Sequence, residues 1–451
     1  MKRIAFLFLV AISFCSLAVG ATRPRYGGTL RVALQWAPNG LELPANSTAA
    51  EYWDAARVLS LVGDNLVASD AAGRPQPALA TSWQSDANAR RWEFDLRSDI
   101  KFQDGSVASA AAIAQVLGAL HPDWTVRATR STSGPGLEVT TESPHPNLLA
   151  ELALPRNLIL KRDASGQPIG TGAFRVVDFQ PGKFLKLVAN EECWAGRPYL
   201  DSIEIELGKS LRDQAVALEL GRSDVIEAAP QVATSSHGRV SLPVELMALV
   251  FTPNTRAQDV RLREALALSI DRKPIQSVLL KGAAEPVASI LPNWMTGYSS
   301  VFSSQANVQR ARALLADSRQ PALTLSYDPR DPQAQLIAER IVLNAREAGI
   351  ALQVSLSGPD DVRLIRIPLL SSEPSLALRE AARRLSLKPP GAEGNKVDDL
   401  YRAERTLLDG YPVIPLFHLP VASASSARVH GWSPDRLGGW NLADLWVENP
   451  R

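Results

Sequence analysis

The sequence predicts an α/β chain divided into two or three lobes, and three observations carry that expectation. The chain has 451 residues, more than one hydrophobic core usually serves. Residues 323–356 read as a strand, a helix and a strand. Before them lie short alternating strands and an Ala-rich helix, with no internal repeat that would suggest a solenoid.

The βαβ reading is the most detailed. Leu323, Leu325 and Tyr327 alternate as in a half-buried strand; Asp331 caps and Pro332 begins a helix running to about Ala348. Gly349 ends it, and Ile350, Leu352, Val354 and Leu356 alternate again. Such a unit implies a locally parallel sheet with a right-handed crossover. A second helix, capped by Asp259, is expected over Val260 to about Ile270, with Arg261, Arg263 and Glu264 on its solvated face. In the first half, Leu30, Val32 and Leu34 alternate after Gly27-Gly28-Thr29, and a polar loop from Gln35 to Thr48 follows. Trp92, Phe94 and Leu96 form another alternating strand that leads to an Asp104-Gly105 turn. The stretch from Ser106 to Leu120 reads as a helix, and Lys388 to Asn395 is the clearest loop.

The chain opens with Lys2 and Arg3, an apolar run from Ile4 to Phe14 and small residues around Ala18 to Ala21, the tripartite layout of a secretory signal. The run is shorter than the ~20 residues a spanning helix needs, so cleavage near Gly20 or Ala21 is favoured over a membrane anchor. Cys15 follows Phe14 rather than a small residue, which disfavours lipidation. Removing this segment leaves Cys193 as the sole thiol, so no internal disulfide can support the exported fold. No later apolar run approaches spanning length, and the remaining chain is expected to be soluble. With 48 basic against 47 acidic residues and no basic block, a nucleic-acid footprint is not expected.

Catalytic signatures fail on geometry. There is no Gly-x-Ser-x-Gly elbow and no His-Glu-x-x-His helix, and Gly208-Lys209-Ser210 lacks the first Gly of a phosphate loop because Ile203 stands there. The five His have no spacing that puts two ligands on one helix face, so no metal and no cofactor is expected. His418 stands apart because Phe417-His418 follows the apolar run from Val413 to Leu416. Core packing is the expected role of Trp92, Trp194 and Trp446. Trp36 lies just past a strand beside Pro38 and Asn39, and admits both a cleft wall and a core position.

Several segments, in order, resemble the large extracellular solute-binding proteins of the peptide and nickel class that serve ABC importers. They are Gly27 to Val32, Gly73 to Trp83, Trp92 to Arg97 and Lys101 to Ser106. Gly170-Thr171-Gly172-Ala173-Phe174, Asn190 to Pro198, Val260 to Arg272, Ala311 to Leu315 and Pro412 to Leu416 continue the series. The resemblance implies a two-lobed, periplasmic-binding-protein-like clamp (type II) with a small extra subdomain, its lobes joined by a double crossover. The expected division is residues 22–50, 160–246 and 425–451 for lobe I, 51–159 for the subdomain and 247–424 for lobe II.

The same resemblance implies a periplasmic, monomeric protein that captures a peptide or similar mid-sized solute and passes it to the membrane permease of an ABC transporter. A clamp that senses ligand without transport is the alternative, and an exported hydrolase a remote one. Trp36 and Phe417 are the expected apolar wall, Asn39, Asn254 and His418 the polar contacts, and Trp294 a contact from the opposite lobe. Three departures are minor: Gln103 replaces a His near a turn, Cys193 a Tyr, and Ala112-Ile113 an Asp-Val. A larger one follows the βαβ unit, where peptide-binding relatives carry a long Trp- and Asp-containing stretch. Only Asp360 to Arg384 stands there, without Trp; Asp360 and Asp361 could substitute for the acidic residue, but a solvated turn is the favoured reading. A buried ammonium needs a matched carboxylate, so peptide binding through an amino-terminal anchor is expected to be weakened or lost.

Overall fold

A computed structural model describes residues 23–43, 48–70, 72–131, 134–230, 237–316, 320–391, 394–432 and 434–448. The expected signal segment, Cys15 included, lies outside the described residues. Among the described residues no helix is long and apolar enough to cross a membrane.

One sheet runs through both lobes. Its strands are, in spatial order, 174–180, 184–189, 202–206, 29–33, 225–228, 413–425, 238–251, 362–368, 323–327 and 352–354, with 285–286 joined to 413–425. The two longest, Gly238–Phe251 and Val413–Ser425, lie side by side and antiparallel in the middle. At one end 422–425 pairs with 225–228 of lobe I; at the other, 245–251 pairs with 362–368 of lobe II. These strands are the double crossover, and Pro243 faces Pro420 where the lobes meet. Neither proline has an N–H to donate, so the ladder breaks there, with register shifts on both sides of Pro243. The break is a built-in hinge.

Two hydrophobic clusters fill lobe II and one fills lobe I. In lobe I the parallel strands Thr29–Ala33, Ser202–Glu206 and Val225–Ala228 bury Leu30, Val32, Ile203, Ile205 and Val225 against the helix Ala49–Val62. Thr48 and Glu51 form a capping box at the start of that helix, each satisfying a backbone N–H of the other. Ala55, Val58, Leu59 and Val62 of this helix belong to the same cluster as the lobe I strands. The subdomain's own core lies under an antiparallel sheet ordered 80–85, 91–96, 134–141 and 124–131.

The βαβ unit is Leu323–Tyr327, Pro332–Glu347 and Leu352–Val354 with parallel pairing. Asp331 accepts hydrogen bonds from the N–H groups of Gln333 and Ala334 as its cap. The helix after Asp259 spans Val260–Ser269, and the Ala-rich helix Ala110–Leu120 starts four residues later than expected because Ser109 supplies the cap.

Gln103 does more than tolerate a turn. Its amide group donates to the carbonyls of Val62 and Phe174 at 2.8 and 2.7 Å and accepts from the Gly170 N–H at 3.1 Å, tying the subdomain to lobe I. Trp194 is half-buried and packs against the subdomain core; its indole donates to Asp64 at 2.8 Å and Arg97 stacks over its ring. Asp361 is not a solvated turn either. It is 3% exposed and accepts from the Arg256 side chain and from the Thr324 N–H at 2.8 Å. Burial alone raises such a carboxyl, but these hydrogen bonds hold Asp361 at about 2.

Candidate functional site

In open α/β sheets the ligand crevice lies beyond the carboxyl ends of the parallel strands. Here both lobes aim those ends at the hinge. Strand 29–33 leads into Gln35, strand 225–228 carries Glu227, strand 323–327 leads into Asp328, Arg330 and Asp331, and strand 362–368 carries Arg366. The helix Ala49–Val62 contributes Glu51, Asp54 and Arg57 from lobe I, and Glu245 stands on the crossing strand two residues past Pro243.

Three sets of ion pairs in this crevice have the same form, one guanidinium shared by two carboxylates. Arg57 meets Asp54 at 2.7 Å and Glu227 at 3.6 Å within lobe I. Arg330 bridges the lobes, meeting Glu51 at 2.5 Å and Asp328 at 2.9 Å. Arg366 meets Asp331 at 3.0 Å and Glu245 at 3.6 Å. Asp54 is fully buried and is held above the usual carboxylate range, first by burial and then by the charge of Glu227, against the pull of Arg57. Burial raises Glu245 likewise, opposed by Arg366. Glu227 is fixed by the Gln35 N–H at 2.7 Å and the Gln214 amide at 3.0 Å.

Beside the carboxylates stands an aromatic wall. Tyr52 and Trp53 project from successive positions of the lobe I helix, their rings 6.1 Å apart and edge-on. Trp53 packs in a small cluster with Val244 and with Trp294 of lobe II. Tyr52 packs with Leu154, Leu370 and Leu376, so residues just after strand 362–368 fill part of the space between the lobes. Arg384 lies 4.6 Å over the Tyr52 ring, Asn147 donates to Ser375 at 2.6 Å, and Arg156 bridges Glu151 and Glu380. This is the stretch that is short and lacks Trp in the sequence; its helix, Pro374–Arg384, meets lobe I directly.

The expected site residues divide. Trp294 does reach the lobe boundary, half-buried, and its indole donates to the Pro243 carbonyl at 2.9 Å. Trp36 does not wall the crevice: it is 5% exposed within the lobe I core, because the chain turns inward after strand 29–33. Its backbone N–H nonetheless donates to Asp54 at 3.2 Å. Phe417 and His418 are fully buried, Phe417 in the lobe II core. The His418 Nε2 pairs with the Ile290 carbonyl at 2.9 Å, and burial pushes the imidazole down to about 4. Asn39 and Asn254 are exposed loop residues, and Asn254 lies beyond the lobe II end of the first crossing strand. Trp36, Phe417 and His418 are thus buried side chains, while Asn39 and Asn254 remain exposed on their loops.

Sequence reasoning passed over Asp54, Arg57, Glu227, Glu245 and Arg366. One signal was available: Asp54 and Arg57 share the helix face of Val58 and Leu61, where a charged residue is out of place unless paired. Among the described residues no group of three or more His, Cys, Asp or Glu is placed to hold a metal ion.

Comparison with known proteins agrees with this architecture. The model of the bacterial extracellular solute-binding proteins, family 5 middle, matches residues 74–364. The nickel-binding protein NikA of Staphylococcus aureus is 24% identical over 328 residues, covering 66% of this chain and 65% of that protein. The peptide transport periplasmic protein SapA of Salmonella typhimurium is 22% identical over 382 residues, covering 72% and 67%. For the first of these the aligned region is thus just under two thirds of the relative's own length. Among solved structures, OppA of Haemophilus influenzae in complex with RPPGFSPFR superposes with a TM-score of 0.79 at 16% identity, covering 94% of this chain and all of that one. The fold is the two-lobed clamp of these proteins, and the chain belongs to family 5 of the bacterial extracellular solute-binding proteins.

Proposed function

We propose that this protein is the periplasmic substrate-binding component of an ABC importer, a monomer that captures a mid-sized polar solute and presents it to the membrane permease without a catalytic step. The observation that carries the reading is the proline-interrupted double crossover, which sets two lobes around a crevice lined by ionic and aromatic groups. Such a hinge lets ligand binding be read out as closure of one lobe on the other. Export by the amino-terminal signal belongs to the same proposal, as does the division into lobe I, a subdomain beginning after Val62, and lobe II. The relatives named above bind nickel or transport peptides, and both solute classes are candidates here. The filled space between Tyr52, Leu370 and Leu376 favours a solute smaller than an oligopeptide.

A thermal-shift screen against amino acids, di- and tripeptides, sugars, polyamines and nickel–histidine tests the reading. A ligand bound only by the folded state raises the melting temperature by mass action. At least one class is expected to do so, with a smaller radius of gyration in solution scattering. No shift with any class, together with unchanged scattering, contradicts the proposal.

A further inference from the structure

The helix Pro374–Arg384 of lobe II docks directly on lobe I and on the subdomain. Tyr52 and Ala56 from the lobe I helix, Leu154 from the subdomain, and Leu370 and Leu376 from lobe II form one buried cluster. Burying such side chains against one another is favourable in itself. Just before the helix, the turn at Gly73 approaches Ser372 so closely that a Cβ would stand 1.7 Å from its hydroxyl oxygen, so only glycine lets the subdomain come this near.

From these contacts we infer that the clamp carries its own latch: helix Pro374–Arg384 holds lobe II against the subdomain in the unliganded protein, and Arg156 is the residue that fastens it. The Arg156 Nε donates to Glu151 of the subdomain at 2.9 Å, and a terminal nitrogen donates to Glu380 of lobe II at 3.1 Å. Those two carboxylate side chains are 5% and 6% exposed. Water solvates each of them when the lobes part, but brought together they need a cation between them. Arg383 pairs with Glu380 from the same helix, whereas Glu151 meets no cation but Arg156 among the described residues. The Asn147 amide adds a neutral hydrogen bond across the same gap, to Ser375 at 2.6 Å. A latch of this kind supplies part of the free energy of closing, so open and closed forms coexist before a solute arrives and the solute shifts their balance. A solute too small to span both lobes can then still be enclosed.

The latch needs the two-lobed fold but no particular solute, so it is tested on the purified protein freed of any carried solute by unfolding and refolding. Asn147→Cys and Ser375→Cys, combined with Cys193→Ser, place a thiol pair across the gap that meets only in the closed form. Under copper–phenanthroline oxidation the pair should crosslink, and adding Arg156→Ala should slow the crosslinking roughly tenfold by shifting the balance toward the open form. Arg156→Lys, which keeps the charge but not the forked geometry, should fall between the two. In solution scattering, Arg156→Ala alone should give a larger radius of gyration than the wild type. Ser372→Trp, a wedge against Gly73 that leaves the ion pairs in place, should do the same. Absence of the crosslink overturns the inference, as does a crosslinking rate that Arg156→Ala leaves unchanged. Should the thiol pair fail to fold, the scattering decides: a radius unchanged by both Arg156→Ala and Ser372→Trp overturns the latch. A thermal-shift screen without any bound solute removes the solute-binding reading and leaves the latch standing, whereas bound solute with no crosslink in the unliganded protein removes the latch alone.

Discussion

Replacing Glu404 by Gln should remove one of the two opposing contributions to the pH dependence of lobe II stability, and the structure sets the size of the effect. Glu404 lies on the helix Val397–Leu407, fully buried, and accepts from the Ile290 N–H at 2.6 Å, the Leu291 N–H at 3.2 Å and the Tyr298 hydroxyl at 3.0 Å. Burial pushes its carboxyl up from 4.5 to about 7, against the opposing effect of those three hydrogen bonds. A folded-state value above the unfolded one means that the native state binds the proton more tightly. The stabilisation is therefore complete below pH 4.5 and is lost as the pH rises through about 7. At about 1.4 kcal/mol per pH unit the full change is about 3 kcal/mol, of which about 2.5 kcal/mol falls between pH 5 and pH 8.

His418 works in the opposite direction. Its folded value of about 4 lies below the ordinary 6.5, so its contribution is present above pH 6.5 and is lost as the pH falls through about 4. The informative quantity is accordingly the difference between wild type and variant, measured by urea unfolding at pH 5, 6.5 and 8. Glu404→Gln removes one titration and leaves the other. The variant should gain stability relative to wild type on going from pH 5 to pH 8 by about 2.5 kcal/mol. Identical pH dependence in the two proteins refutes the assignment of a raised carboxyl to Glu404.

Trp36→Ala should destabilise lobe I by about 3–5 kcal/mol, seen as a lower melting temperature of the unliganded protein, because the ring belongs to the core. A loss of ligand affinity at unchanged stability would return Trp36 to the crevice. Gly170→Ala places a Cβ 2.1 Å from the Val62 carbonyl oxygen, so the loop must shift; a cost of about 1–3 kcal/mol is expected in chemical denaturation, and a neutral effect would contradict the close approach. Arg330→Ala removes the inter-lobe pair with Glu51. Since Arg330 is 67% exposed, stability should change by less than about 1 kcal/mol, while solution scattering should report a more open clamp. A large stability loss without opening would mean that Arg330 holds lobe II rather than the gap between lobes.

The helices and strands with strong periodicity were legible because their physics is local. Asp331 with Pro332 caps one helix and Asp259 another, and Trp92, Phe94 and Leu96 alternate on a strand, whatever surrounds them. The crevice was less legible. Asp331 could be read as a cap, but not as a carboxylate that also meets Arg366, thirty-five residues away, because that contact exists only once two parallel strands align their ends. Glu404 offered a partial signal: it falls on the same helix face as Leu400 and Ala403, where an acid is costly.

What the sequence by itself determined was the α/β class, the βαβ unit and, through ordered motifs, membership in a family. Those depend on period, capping and turn chemistry, which act within a few residues. Only the tertiary structure decided which polar groups share the crevice. His418 and Phe417 stand in a strand whose apolar pattern is the same on a cleft wall as in a core, and burial on both sides of the sheet placed them inside. Glu227 and Glu245, eighteen residues apart, converge with Asp54 and Arg57 because the crossing strand passes the end of strand 225–228 at the hinge. Charge pairing at that distance along the chain follows from how the lobes dock, and no local pattern encodes it.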